Sequence, residues 1–156
     1  MAASPPVPYP PDPDKLRRLG LALAITTVVI ALIATQWPFE YRLTRYALHR
    51  HWARIDWSWF PRDWDGNIRI DRDFAVNLLM LIPLGVGYGL WRRGPIVRVA
   101  AEALVLGILT STVLELAQLA TRQRYTSPAD VWRNAVSSLL GCLLARARFG
   151  KAMPPG

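Results

Sequence analysis

The stretch VAAEALVLGILTSTVLELAQLA, Val99 to Ala120, decides how the chain is read. It is almost wholly apolar and long enough to cross a hydrocarbon core of about 30 Å as a helix. Yet Glu115 lies well inside it, among Thr112, Val113, Leu114, Leu116 and Ala117, and Gln118 follows one turn later on the same face. A surface helix would space its polar residues regularly around one side, and this segment does not. A carboxylate in lipid is expensive, so Glu115 needs Arg, a metal ion, water or a proton.

Working outward, Ala75 to Trp91 is a second such run. Leu19 to Trp37 is a third, with only Thr26, Thr27, Thr35 and Gln36 as polar side chains. A further segment is cleanly apolar only from Ala135 to Ala145 and reaches spanning length by including Val131 to Asn134 and the Arg146 flank. Hydrophobic residues make up 52% of the 156 positions, with seven Trp, while the formal net charge is +8. Apolar runs parted by charged connections mark a small helical membrane protein.

The expected fold is therefore an all-α membrane protein. It is a four-helix transmembrane bundle with spans at about 19–37, 75–91, 99–120 and 131–147. The alternative is three spans and a half-helix. Residues 1–18 are expected to form a disordered Pro-rich cytoplasmic tail, 19–148 the transmembrane domain and 149–156 a short cytoplasmic tail. Ser4 to Asp14 carries six Pro and does not suit packing. The Ala-x-Ala nearest the N-terminus, Ala22 to Ala24, lies inside the first run and no small-residue cleavage site follows that run, so it reads as an uncleaved anchor.

Tight clusters of Lys15, Arg17 and Arg18, of Arg92, Arg93 and Arg98, and of Arg146, Arg148 and Lys151 flank the spans on one side. Raw totals on the two sides are nearly equal, but charge beside the spans sets orientation. Both termini are expected in the cytoplasm of a bacterial cell, with the protein multi-pass in its inner, plasma membrane.

The connection from Pro38 to Phe74 should then lie outside. Tyr41, Leu48, Trp52 and Ile55 recur at near-helical spacing among Arg42, Arg45, Arg50 and Arg54, which suits an amphipathic helix in the headgroup region. Alternating apolar residues on both sides of Asp65-Gly66-Asn67 suggest a short hairpin. His49 and His51 point to different helix faces, so they read as solvated interface residues rather than a metal pair. Lone Cys142 allows neither an internal disulfide nor a cysteine metal cluster. No metal or other cofactor is implied.

Threading the spans alternately brings Asp73, Asn77, Glu115, Gln118, Arg124, Asp130 and Asn134 to one face of the membrane. Each has a structural reading beside the functional one. Asp73 could cap the second span. Ser127-Pro128-Ala129-Asp130 has the form of a capping box, with Asp130 as its reciprocal carboxylate. Asn77, Gln118 and Asn134 could bond between helices. No cap accounts for Glu115, and Arg124 is placed to pair with it or to hold an anion. Glu102, four residues after Arg98, reads as an ion pair. Pro83 should kink the second span, and Gly85 and Gly89 offer a small-residue packing surface.

Asp73-x-x-x-Asn77, Ile82-Pro83-Leu84-Gly85, Glu115-x-x-Gln118, Arg124, Asp130-x-x-x-Asn134 and Gly141 together resemble the VanZ-like family of small bacterial integral membrane proteins. Trp37-Pro38-Phe39-Glu40 resembles the start of the first loop in that family, and the likeness runs from about Trp37 to Leu144. Ser137 departs from the Asn-x-x-Gly often found in the last span. The resemblance implies a cell-envelope role and an association with resistance to glycopeptide antibiotics of the teicoplanin type.

Two functions follow from these residues. One is a binding protein whose outward pocket takes an anionic or glycan-bearing ligand, such as a lipid headgroup or cell-wall precursor. Arg124 would be its anion contact. The other is a membrane enzyme on a lipid-linked substrate, with Glu115 as the candidate catalytic acid or base. The bilayer is the expected partner, and nucleic acid is not.

Overall fold

Asp12 starts the first helix: its Oδ1 accepts the Asp14 N–H at 2.9 Å, and Pro13 sits in the first turn, where its missing donor costs nothing. The helix, α1, spans Pro13–Gln36. Residues 13–18, expected in the tail, are thus helical, because a side-chain cap precedes the apolar run.

The computed structural model describes residues 12–60, 62, 65–68, 72–121 and 127–150, the side chains of residues 72 and 73 excepted. Five more helical segments follow α1 among them: α2 (Arg45–Trp52), α3 (Arg72–Met80), α4 (Ile82–Trp91), α5 (Ile96–Gln118) and α6 (Pro128–Phe149). α3 and α4 are halves of one rod broken at Leu81, with Pro83 in the first turn of the second half. Pro83 cannot donate to the turn before it, which accounts for the break.

Three segments are long and apolar enough to cross a membrane: Pro13–Gln36, Phe74–Trp91 and Ile96–Gln118. α6 has 22 residues but is not among these three, and its packed face carries Asn134, Ser137, Ser138, Gly141 and Cys142. Small and polar residues suit close helix contact and lower the hydropathy at the same time.

The rods pack with α4 between α1 and α6, and with α6 between α4 and α5. Gly87 of α4 meets Gly20 and Ala24 of α1, whereas Gly85 and Gly89 meet Ser138, Cys142 and Ala145 of α6. Residues 99, 103, 107 and 111 of α5 pair in reverse order with 142, 138, 135 and 134 of α6. The interior is therefore small and polar. Large aliphatic side chains such as Ile30, Leu109, Val113 and Leu116 point outward, each more than half exposed. In water this would be an inverted protein; in lipid it is the favourable arrangement.

At the end where α1 starts, Glu102 binds three partners. Tyr88 Oη donates to it at 2.8 Å, Arg92 Nε at 2.8 Å and Arg98 Nε at 2.9 Å. The expected pair with Arg98 is therefore part of a larger cluster that joins α4 to α5. Arg17 Nε donates to Trp91 O, and Arg146 donates to the carbonyls of Arg92 and Gly94, so basic side chains satisfy the end of α4. Glu102→Ala should lower the unfolding temperature of detergent-solubilised protein more than Arg98→Ala does. Equal shifts would mean that the cross-helix contacts contribute nothing.

At the other end the connection folds back. Thr44 caps α2, accepting the Ala47 N–H at 3.2 Å. The helix is shorter than the apolar spacing suggested, because Tyr41 lies before it and is bridged to Thr121. Around Gly66, which has φ +83°, a single antiparallel bridge joins Arg62 and Ile68. The hairpin expected over Trp57 to Ile70 shows no strand at residues 57–60, and its residues 61, 63, 64, 69 and 70 lie outside the described set.

Candidate functional site

α5 runs toward the end covered by the connection, and its polar stripe continues further back than Glu115 and Gln118. Ser111 lies one turn earlier and is fully buried. It receives Asn134 Nδ2 from α6 at 2.9 Å, and its own hydroxyl donates to the Asp130 carbonyl at 3.4 Å. Asn134 is thus held between the helices. Its Oδ1 is buried and has no hydrogen-bond partner among the described residues.

Glu115 is 6% exposed, and its Oε2 accepts the backbone N–H of Ser127 at 3.1 Å. Ser127 is the N-cap of α6, its Oγ accepting the Ala129 N–H at 3.2 Å. In the expected capping box Asp130 would take the Ser127 N–H. Glu115 occupies that place instead, reaching across from α5. A cap does therefore account for part of Glu115, but one supplied by tertiary contact. The carboxylate also complements the partial positive charge of the α6 N-terminus.

Asp130 turns to Arg133, whose Nη1 donates to Oδ1 at 3.0 Å. Arg133 is nearly buried and stacks over the Phe74 ring at 4.6 Å from its centroid. That geometry is a cation–π contact between α6 and α3. Its Nε has no partner among the described residues. Gln118 is buried one turn beyond Glu115, with its carbonyl accepting the Thr121 hydroxyl at 2.8 Å. On the α1 side, Gln36 Nε2 donates to Leu114 O at 3.5 Å, and its buried Oε1 is unpartnered among the described residues.

The structure therefore brings Glu115, Gln118, Asp130 and Asn134 to one end of the α5–α6 pair. Asn77 is half-buried on α3, which packs against α6. The Asp73 side chain and Arg124 lie outside the described residues. Gln36, Ser111 and Arg133 were not among the expected site residues. Ser111 was legible as the i−4 extension of the Glu115 stripe, and Arg133 as the i+3 partner of Asp130. Gln36 gave no signal beyond its place at the end of a run.

The connection closes over this end. Ser127 Oγ donates to Asp56 O at 3.5 Å, and Trp132 Nε1 donates to Trp59 O at 2.7 Å. His51, expected to be solvated, is half-buried and donates through Nδ1 to Leu119 O at 2.9 Å. The α5 C-terminus leaves carbonyls without helical partners, and an imidazole N–H within reach takes one of them. No group of three metal-ligating side chains occurs among the described residues.

A family profile described as VanZ/LLP1 matches residues 20–149. The chain belongs to the VanZ/LLP1 family. No curated protein and no solved structure matches it. The VanZ/LLP1 match runs from Gly20, within α1, to Phe149, the last residue of α6. It thus extends beyond the Trp37–Leu144 stretch that carries the motif resemblance. Membership and the three span-length apolar helices identify a multi-pass membrane protein of this family.

Proposed function

We propose that this VanZ-like protein resides in the bacterial inner membrane with four spans, both ends of the chain cytoplasmic. At its outward end a polar pocket binds an anionic or glycan-bearing envelope ligand. One observation carries the reading. Gln36, Arg133 and Asn134 are buried at that end and each keeps a polar atom that no described residue satisfies. A network serving stability alone would satisfy those atoms, because an unpaired buried polar group costs about 1–3 kcal/mol. Asn77, Gln118 and Asn134 would be hydrogen-bonding walls, Arg124 the anion contact, and Asp73 and Asp130 acidic groups at the rim. The basic clusters around Arg17, Arg92 and Arg146 support a cytoplasmic position for the opposite end.

Binding of a cell-wall precursor would connect the protein to glycopeptide resistance of the teicoplanin type. In a strain lacking the gene, the wild-type chain should raise the inhibitory concentration of teicoplanin, and Gln118→Ala/Asn134→Leu should not. An inhibitory concentration indifferent to the wild-type chain removes the resistance role. A reporter enzyme fused to the C-terminal end of α6 should work only in the cytoplasm; activity confined to the outside would overturn the four-span topology.

The burial of Glu115 favours a second reading, a membrane enzyme on a lipid-linked substrate with Glu115 moving a proton. Its contact with the Ser127 N–H supports a positioning role instead, so binding stands first.

A further inference from the structure

Outside the Glu115 region, α2 and the residues flanking it form a groove of about 630 Å³. Arg42, Arg50 and Arg54 line it with Tyr41, Tyr46 and His51. No carboxylate among the described residues pairs with any of the three arginines. Arg50 on α2 and Arg54, two residues past its end, place like charges on the same groove. The sequence places no acid between Tyr41 and Ile55 to offset them.

The groove is built rather than a loose basic arm. Arg42 N donates to Ala120 O at 2.8 Å, Tyr41 bridges to Thr121, and His51 Nδ1 donates to Leu119 O at 2.9 Å. Three successive residues at the end of α5 therefore hold both walls. The Tyr41 and Tyr46 side chains are exposed, and their hydroxyls add donors beside the guanidinium groups. Arginine forks match phosphate oxygens two at a time, which a lysine cluster would not.

The surroundings indicate where the phosphate comes from. Trp52, Trp57 and Trp59 are exposed on the same connection, and Trp37 is exposed just before it. Aromatic side chains of this kind settle at the headgroup level of a bilayer. A cationic groove at that depth faces lipid phosphates before it faces any soluble anion.

We propose that the groove lined by Arg42, Arg50 and Arg54, which stand before, on and after α2, is a binding site for the phosphate of an anionic membrane lipid. It is separate from the Glu115 region and does not depend on what that region binds. The bound headgroup would neutralise the three charges and fix α2 against the membrane surface. The connection that covers the end of the bundle would then be held at a defined height.

Native mass spectrometry of the detergent-purified full chain tests this, with dioleoylphosphatidic acid, dioleoylphosphatidylcholine and inorganic phosphate as probes. Phosphatidic acid should be retained in preference to phosphatidylcholine. Arg42→Gln/Arg50→Gln/Arg54→Gln should weaken that retention about tenfold, with the unfolding temperature unchanged. Arg50→Gln alone, at an exposed position, should weaken it in the same direction and serves if the triple variant does not fold. Undiminished retention in the variants overturns the proposal, as does equal retention of the two lipids. Displacement of phosphatidic acid by equimolar inorganic phosphate would assign the groove to a soluble anion and overturn the lipid assignment.

Discussion

Gly85→Leu should yield no folded protein, and Gly85→Ala should destabilise it by about 3 kcal/mol or more, at the upper end of overpacking costs. A Cβ at Gly85 would fall on the Ser138 carbonyl and close to the Cys142 nitrogen. On the facing helix, a Cβ at Gly141 would fall on the Ile82 carbonyl. Both obstacles are backbone, so no rotamer change relieves them. α4 and α6 would have to separate, and in a bilayer nothing but close packing and interhelical bonds holds them together. The yield of monodisperse protein and its unfolding temperature in detergent check this, with Gly150→Ala as the control, since a Cβ there meets nothing. Normal yield of Gly85→Leu would mean that the two helices do not cross where described.

Replacement of Glu115 has the second large effect, and its direction depends on the new side chain. Glu115→Leu leaves the Ser127 N–H without its acceptor at 3.1 Å, which costs about 1–3 kcal/mol where water is excluded. It should also fray the start of α6, visible as faster amide exchange between Ser127 and Trp132. Function should be lost with it, because Asp130, Arg133 and Asn134 are all carried by that first turn and the next. Glu115→Gln keeps an acceptor oxygen and should hold α6, with stability within about 1 kcal/mol of the native chain. Retained function in Glu115→Gln would end any proton-transfer role and leave positioning as the task of this carboxylate. Loss of function in a folded Glu115→Gln protein would favour the enzyme reading.

The long apolar runs were legible because outward-facing aliphatic side chains dominate them. The last helix was the hardest to bound, since its inward face is built of Ser137, Ser138, Gly141 and Cys142, and hydropathy counts those against a span although packing requires them. The kink at Leu81 followed from Pro83, and the Glu102 pair from its spacing to Arg98. Tertiary capping was not legible. Ser127 to Asp130 has the local form of a closed capping box, and only the approach of α5 shows Glu115 in the acceptor position. His51 was misread for the same reason, because its partner, the Leu119 carbonyl, is distant in sequence. Among the polar candidates, Glu115, Gln118 and Asn134 were identifiable from their depth in apolar segments. Arg133 was passed over because it reads as a loop-flanking charge, whereas Asp130 and the Phe74 ring draw it inward.

On the proposed function, the polar atoms left over where α1 and α5 end and α6 begins bind an envelope ligand. The most direct test is binding of a lipid-linked disaccharide precursor of the cell wall to the protein in nanodiscs, wild type against Asn134→Leu. The account predicts binding by the wild type and a loss of about tenfold in the variant, the worth of roughly one buried hydrogen bond. No binding by the wild type, or equal binding by a folded Asn134→Leu variant, would contradict it.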